Sequence, residues 1–277
     1  MVHILTDSCA DLSPELIARY KIDLIRLQVF IDNHTYSDGL DITTLQLFNL
    51  VEKTHQLPKT SAPSIGDFTR FFDRTGEIIY IGIGSKLSAT VSNAMLARDS
   101  LGRNSIHVID SNNLSTGIGL LVLAAAEMRD TGCSADEIEA RVTRLLPKIR
   151  TSFVVDTLDY IYMSGRCSAI THFAGSLLKI RPVIEVHSDG VLAVHDKIRG
   201  TRKRALDALL ADFQAHLQEL DPHRVFVTHT GCDADAEYLA AAIRELAPVE
   251  ELNITTAGST VSSHCGPDTI GILYLVK

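Results

Sequence analysis

Short apolar runs alternate with amphipathic stretches along the first half of the chain, a rhythm that predicts strands separated by helices. Val2–Thr6 reads as a buried strand and ends in Asp7-Ser8. Ser13 and Pro14 then open a helix, because serine suits the cap and proline the first helical position. Leu24–Ile31 reads as a second strand, closed by an Asp32-Asn33-His34 turn. A helix is predicted over Ile42–Lys53 and a shorter one over Ile65–Asp73. Between them Leu57–Ser64, with two prolines and three hydroxyls, predicts a fixed loop and no regular element. Ile78–Ile83 is apolar or glycine throughout and reads as a buried strand. The small turn Gly84-Ser85-Lys86-Leu87-Ser88 follows it, and a helix starts at Thr90. Ser105–Ile109 is a further strand ending in Asp110-Ser111, and Gly117–Arg129 an apolar helix with a small-residue face. Ser134-Ala135-Asp136-Glu137 is a capping box for a helix running to Arg150.

The rhythm then changes. Thr151–Asp156 reads as a strand, Leu158–Met163 as a short helix and Ala169–Leu178 as an apolar helix. Arg181–Val186 and Val191–Lys197 flank His187-Ser188-Asp189-Gly190, where Asp-Gly marks a hairpin. A long amphipathic helix is predicted over Arg202–Leu220. Strand Val225–Thr228, helix Ala234–Leu246 and strands Glu250–Thr255 and Ile270–Val276 complete the chain. The expected fold is α/β with two domains: residues 1–150 around a parallel sheet and residues 151–277 around a mixed one. Thr6-Asp7-Ser8, Gly84-Ser85 and Asp110-Ser111 all end strands. Open α/β sheets bind ligands beyond the carboxyl ends of their strands, so these polar ends are expected to converge.

Composition narrows the function classes. With 277 residues, 45% apolar and 22% charged, the chain is an ordinary globular one, long enough for two domains. A formal net charge of −8 argues against a nucleic-acid partner. The five cysteines at 9, 133, 167, 232 and 265 are odd in number and contain no Cys-x-x-Cys. They read as reduced thiols in a cytoplasmic protein, with neither a disulfide framework nor a metal site. The start MVHILTDSCAD has no basic region and does not read as a signal peptide. The longest apolar run, Ile118–Ala126, is too short to cross a bilayer, so no integral membrane segment is expected.

The chemistry starts at Ile78–Ala94. A strand that feeds a small turn and then a helix N-terminus offers unpaired N–H groups and a favourable dipole to an anion. Ser85, Ser88 and Thr90 add hydroxyl donors, although helix capping alone also accounts for them. There is no P-loop, no third glycine after Gly82 or Gly117, no Gly-x-Ser-x-Gly and no His-Glu-x-x-His. A triad of Ser88, His264 and Asp110 can still be drawn, which keeps a serine hydrolase or esterase as the alternative function. Pro63 biases Ala62 to an extended conformation that holds Thr60 and Ser61 outward, with Ser64 placed to cap the next helix. His264 lies among small residues, Ser262 to Pro267, that let other groups approach. Lys197, Arg199, Arg202, Lys203 and Arg204 form a dense basic run, and three of them oppose the dipole of the helix they start. The run reads either as a solvated face or as a partner surface.

These pieces, in order, resemble the DegV family of fatty-acid-binding proteins. The resemblance rests on Thr6-Asp7-Ser8 with Asp11-Leu12, Tyr36-Ser37-Asp38, Thr60-Ser61-Ala62-Pro63-Ser64, Ser85-Lys86-Leu87-Ser88-Ala89-Thr90 and Asp110-Ser111. It continues through Asp156-Thr157-Leu158, Gly165-Arg166, Asp189-Gly190, Lys197-Ile198-Arg199 and His264-Cys265-Gly266-Pro267. It implies two α/β domains with one long-chain fatty acid between them, the acyl chain in an apolar tunnel. It further implies a carboxylate held at Thr60, Ser61, Ser88 and His264, with Arg166, Arg199 and Arg202 in regions of partner contact. Such a protein needs no cofactor and is not an enzyme; it presents the fatty acid to a separate ATP-dependent fatty acid kinase that forms the acyl phosphate. Ala89, Val91 and Asp268 depart from the family's usual glycine, tyrosine and glycine. Two hydroxyls, a helix N-terminus and an imidazolium make an adequate donor set for a buried carboxylate. At about 0.8 kcal/mol per methylene, a sixteen-carbon chain supplies roughly 10 kcal/mol before ordering costs. A short polar pocket would instead favour a binding module for a small anion such as a phosphorylated metabolite.

Overall fold

The computed structural model describes residues 1–167 and 180–277; the helix expected over Ala169–Leu178 lies outside the described residues. In the first half the strands are β1 (Val2–Asp7), β2 (Asp23–Ile25), β3 (Gln28–Ile31), β4 (His34–Ser37), β5 (Lys59–Ser61), β6 (Glu77–Gly82) and β7 (Ile106–Asp110). The helices there are α1 (Pro14–Arg19), α2 (Thr44–Thr54), α3 (Ile65–Phe72), α4 (Thr90–Leu101), α5 (Thr116–Asp130) and α6 (Ala135–Leu145). The second half adds β8 (Ile149–Val154), α7 (Asp159–Ser164), β9 (Ile180–Val186), β10 (Leu192–Arg199) and α8 (Arg202–Ala215). It ends with β11 (Leu220–His229), α9 (Asp233–Leu246), β12 (Glu251–Thr256), α10 (Ser259–Cys265) and β13 (Ile270–Val276).

The fold is α/β with a parallel sheet in its first part and a mixed sheet in its second. The parallel sheet has the order β2-β1-β6-β7 and the mixed sheet the order β10-β9-β8-β13-β11-β12. In the mixed sheet only β11 and β12 pair in parallel; the other neighbours are antiparallel. Helix α5 lies between the sheets. Its Gly119 lets it approach closely: an added Cβ would lie 2.9 Å from Leu12 Cδ2 and 3.1 Å from the Ala10 carbonyl. One apolar core therefore runs from Ile4, Ile79 and Ile81 of the first sheet, across Ile118 and Leu121, to Phe153, Phe226 and Leu273 of the second. Behind it, α3 and α4 cover the first sheet and α8 and α9 the second.

Several elements end where local chemistry says they should. Ser13, Ser64 and Ser134 each accept a hydrogen bond from the third residue beyond them as helix caps, the last two within capping boxes. Other boundaries move. The strand expected over 24–31 divides into β2 and β3, which join different sheets. Asp32 and Asn33 both take positive φ, 51° and 60°, and turn β3 back onto β4. The loop expected over Leu57–Ser64 contains β5, which pairs with β3 in a small antiparallel sheet, β4-β3-β5. The helix expected to reach Arg150 stops at Leu145, because Pro147 cannot donate to it and the chain passes through a 3-10 turn into β8. Helix α8 stops at Ala215, short of Leu220, and Leu220 instead starts β11. Helix α10 is not anticipated at all: its Ser-Thr-Val-Ser-Ser-His-Cys run has none of the usual helix formers.

Candidate lipid-binding cavity

Strand β5 sets up the site. Thr60 pairs with Val29 of β3, and strand alternation sends its side chain to one face and that of Ser61 to the other. Thr60 Oγ1 lies 2.7 Å from Nε2 of His264, which sits on the last turn of α10. The turn after β6 brings in Ser88. Gly84 N donates to the Asn113 carbonyl, and Leu87 N and Ser88 N both donate to the Gly84 carbonyl, so the turn is closed by its own backbone. Ser88 Oγ is 2.8 Å from Thr90 Oγ1 and accepts from Thr90 N at the start of α4.

The polar strand ends converge as expected, but as braces for this turn. Asp7 accepts from Ile83 N, from Cys9 N and from the Tyr80 hydroxyl. Burial raises its carboxyl to about 6, against those three hydrogen bonds. Asp110 accepts from Ser85 N and Asn112 N. The drawn triad is therefore not assembled: Ser88 pairs with Thr90, His264 with Thr60, and Asp110 with backbone amides.

Thr60, Ser88 and His264 line one cavity of about 110 Å³, smaller than the roughly 300–1,000 Å³ usual for small-molecule sites, and an apolar pocket beside it shares its Leu114, Val261 and Cys265 walls. Its walls are mostly apolar, with Leu27, Ile83, Leu114, Ile161, Leu192 and Val261 among them. Thr260, one helical turn before His264, also faces it. Arg166 stands at the rim, and its guanidinium donates to the Ser164 carbonyl at the end of α7. The imidazolium expected at His264 is corrected. Burial, and then the charge of Arg166, hold its pKa down at about 4, so the ring is neutral at pH 7.

Three further expected residues lie elsewhere. Ser61 is exposed on the opposite face of β5 and borders a separate surface cleft with Arg26, Arg70 and Arg74; the two-residue period of the strand excludes it from the cavity. Arg202 is committed within the second half, its Nε 2.7 Å from Asp235 and its guanidinium also reaching Asp156 and Cys232. Arg199 is exposed at the end of β10, its carbonyl accepting from Arg204. The residue that sequence reasoning passed over is Thr260. Its spacing of four from His264 was the available signal, but it carries meaning only once α10 is known to be a helix.

The same fold is found among known proteins. A family model described as "Uncharacterised protein, DegV family" matches residues 1–277. A DegV domain-containing protein of Caldanaerobacter subterraneus is 32% identical over 280 residues, covering 100% of this chain and 99% of that protein. Among solved structures, a DegV family protein from Thermus thermophilus described for its fatty acid binding has a TM-score of 0.92 and 29% identity, covering 100% of this chain and 99% of its own. Bacillus subtilis DegV, described as a fatty acid binding protein, has a TM-score of 0.89 and 27% identity, covering 100% and 99%.

Proposed function

We infer that this chain, which belongs to the DegV family, holds one long-chain fatty acid in the cavity, with the carboxylate at Thr60 and Ser88 and the acyl chain along the apolar walls. One observation carries the reading: the Thr60–His264 contact stands at the polar part of a cavity whose other walls are largely hydrocarbon. A neutral His264 serves this role through its Nε2–H tautomer. Nε2–H donates to Thr60 Oγ1, which frees the Thr60 proton for the carboxylate. Ser88 is used in the same way when Thr90 donates to it and the Ser88 hydroxyl donates outward. The positive Arg166 at the rim favours the anion electrostatically. The cavity takes walls from both sides of residue 150, the boundary proposed between two domains.

Each methylene buried on the apolar walls contributes about 0.8 kcal/mol, so the tail supplies affinity and the head supplies orientation. The proposed role extends to presenting the bound acid to a separate ATP-dependent kinase, as the family resemblance implies; in the Nε2–H tautomer His264 donates to Thr60 and does not act as its base. The direct test is extraction of purified protein with organic solvent followed by mass spectrometry. Release of intact fatty acid is expected. Absence of lipid, together with no binding of a fluorescent fatty acid, refutes the reading. The kinase step is tested by acyl-phosphate formation from the loaded protein, ATP and a fatty acid kinase, trapped as the hydroxamate.

A further inference from the structure

Asp11 and Asp38 belong to two of the sequence's acidic motifs, yet neither touches the cavity. Both are buried, 6% and 1% exposed. What they hold is the beginning of α10. Gly258 N donates to Asp11 Oδ1 at 2.8 Å, and Ser259 N donates to Asp38 Oδ1 at 2.7 Å. Asp11 is fixed in turn by the Ser115 hydroxyl, 2.6 Å from its Oδ2. The helix has no side-chain cap of its own, since its N-cap residue is Gly258. Asp11 and Asp38, 247 and 221 residues away in the chain, satisfy the amides that a local serine or aspartate normally would. Gly258 is needed for room rather than for its backbone angles: an added Cβ would lie 2.9 Å from Asp38 Oδ1 and 3.3 Å from Asp11 Oδ1.

The docked helix carries Thr260, Val261, His264 and Cys265 into the cavity wall. We propose that Asp11 and Asp38 are positioning residues of the lipid site: by docking the start of α10 they set the register that places His264 Nε2 on Thr60. The inference rests on the fatty-acid reading above for its binding arm, but its spectroscopic arm needs no ligand. Loss of either acid leaves a buried amide unpaired and frees the helix to slide or fray, and the group at its far end that depends most on register is His264.

The test uses the full chain with Asp38→Ala, Asp38→Asn, Gly258→Ala and His264→Ala, alone and combined with Asp38→Ala. Affinity is read with a fluorescent fatty acid and the state of His264 by imidazole ¹H–¹⁵N NMR. Asp38→Ala is expected to weaken binding at least about tenfold and to shift the His264 Nε2 signal, while Asp38→Asn, whose amide oxygen still accepts from Ser259 N, stays close to wild type. On the His264→Ala background the Asp38→Ala loss should shrink to below about twofold, because the acid acts through the histidine. Equal losses on both backgrounds, or an unmoved His264 signal, overturn the proposal. If Asp38→Ala does not fold, Gly258→Ala takes its place in the same cycle with the same expected and refuting results. If the wild type binds no fatty acid, the earlier reading fails, while the NMR comparison still decides this one.

Discussion

Thr60→Val isolates the head-group claim. Valine keeps the volume and the β-branched shape that suit β5, and removes only the hydroxyl. Two bonds go with it. The hydrogen bond to the bound carboxylate involves an ion and contributes about 1.5–3 kcal/mol. The 2.7 Å contact with His264 Nε2 also disappears, leaving a mostly buried ring nitrogen unpaired. That second loss is present with and without ligand, so it lowers thermal stability by about 1–3 kcal/mol and largely cancels from the affinity. Kd is therefore expected to rise about tenfold to a hundredfold, at 1.4 kcal/mol per decade. In the proposed pose the tail does not touch this hydroxyl, so the loss should be constant across a saturated series of increasing length, while each added methylene still contributes about 0.8 kcal/mol. Competition against a fluorescent fatty acid measures both. A variant within twofold of wild type, or a loss that grows with chain length, would refute the head-group assignment.

Ser88→Ala should weaken fatty-acid binding by about 1–3 kcal/mol without unfolding the chain, as the same titration and a thermal melt will show. Ser61→Ala, on the outer face of β5, should leave affinity within twofold; a tenfold loss would contradict the strand parity described above. His264 carries a native pKa near 4 against 6.5 for the free side chain, so between these values the unfolded chain takes the proton and the native one does not. Stability should fall as pH drops from 6.5 towards 4, by up to about 3 kcal/mol, and melts of His264→Ala should lack that part of the acid sensitivity; parallel curves would show the ring is not held neutral. Asp7, raised to about 6, acts in the opposite direction over pH 4–6, so only the difference between variant and wild type is diagnostic. Arg224, with a 3% exposed side chain, joins Glu127 at 2.7 Å and Glu251 at 2.8 Å. Arg224→Met should cost about 1–2 kcal/mol in denaturant melts, because Glu127 keeps Tyr20 and His223, Glu251 keeps Arg19, and both carboxylates are partly exposed.

The alternation of strand and helix, the parallel first sheet and the mixed second one were legible from the chain, because period and capping are local properties. Ser13-Pro14, the Ser64 and Ser134 boxes and the Asp189-Gly190 hairpin act within a few residues, and the folded protein uses all of them as the local rules require. The resemblance pointed to Thr60, Ser88 and His264, and the fold brings all three to one cavity. What local rules cannot reach is anything settled by a distant partner. Helix α10 forms from poor helix formers because Asp11 and Asp38 supply its missing cap. Strand β5 is a strand because β3 lies beside it, and that pairing alone separates Thr60 from Ser61. Arg202 is drawn from the surface by Asp235 and Asp156, and His264 loses its charge because burial makes the ion too costly. Sequence by itself determined most of the regular segments and where they start, α10 and β5 excepted. Which polar side chains meet, and in what charge state, was decided by tertiary burial, since hydrogen-bond partners two hundred residues apart leave no periodic trace in the chain.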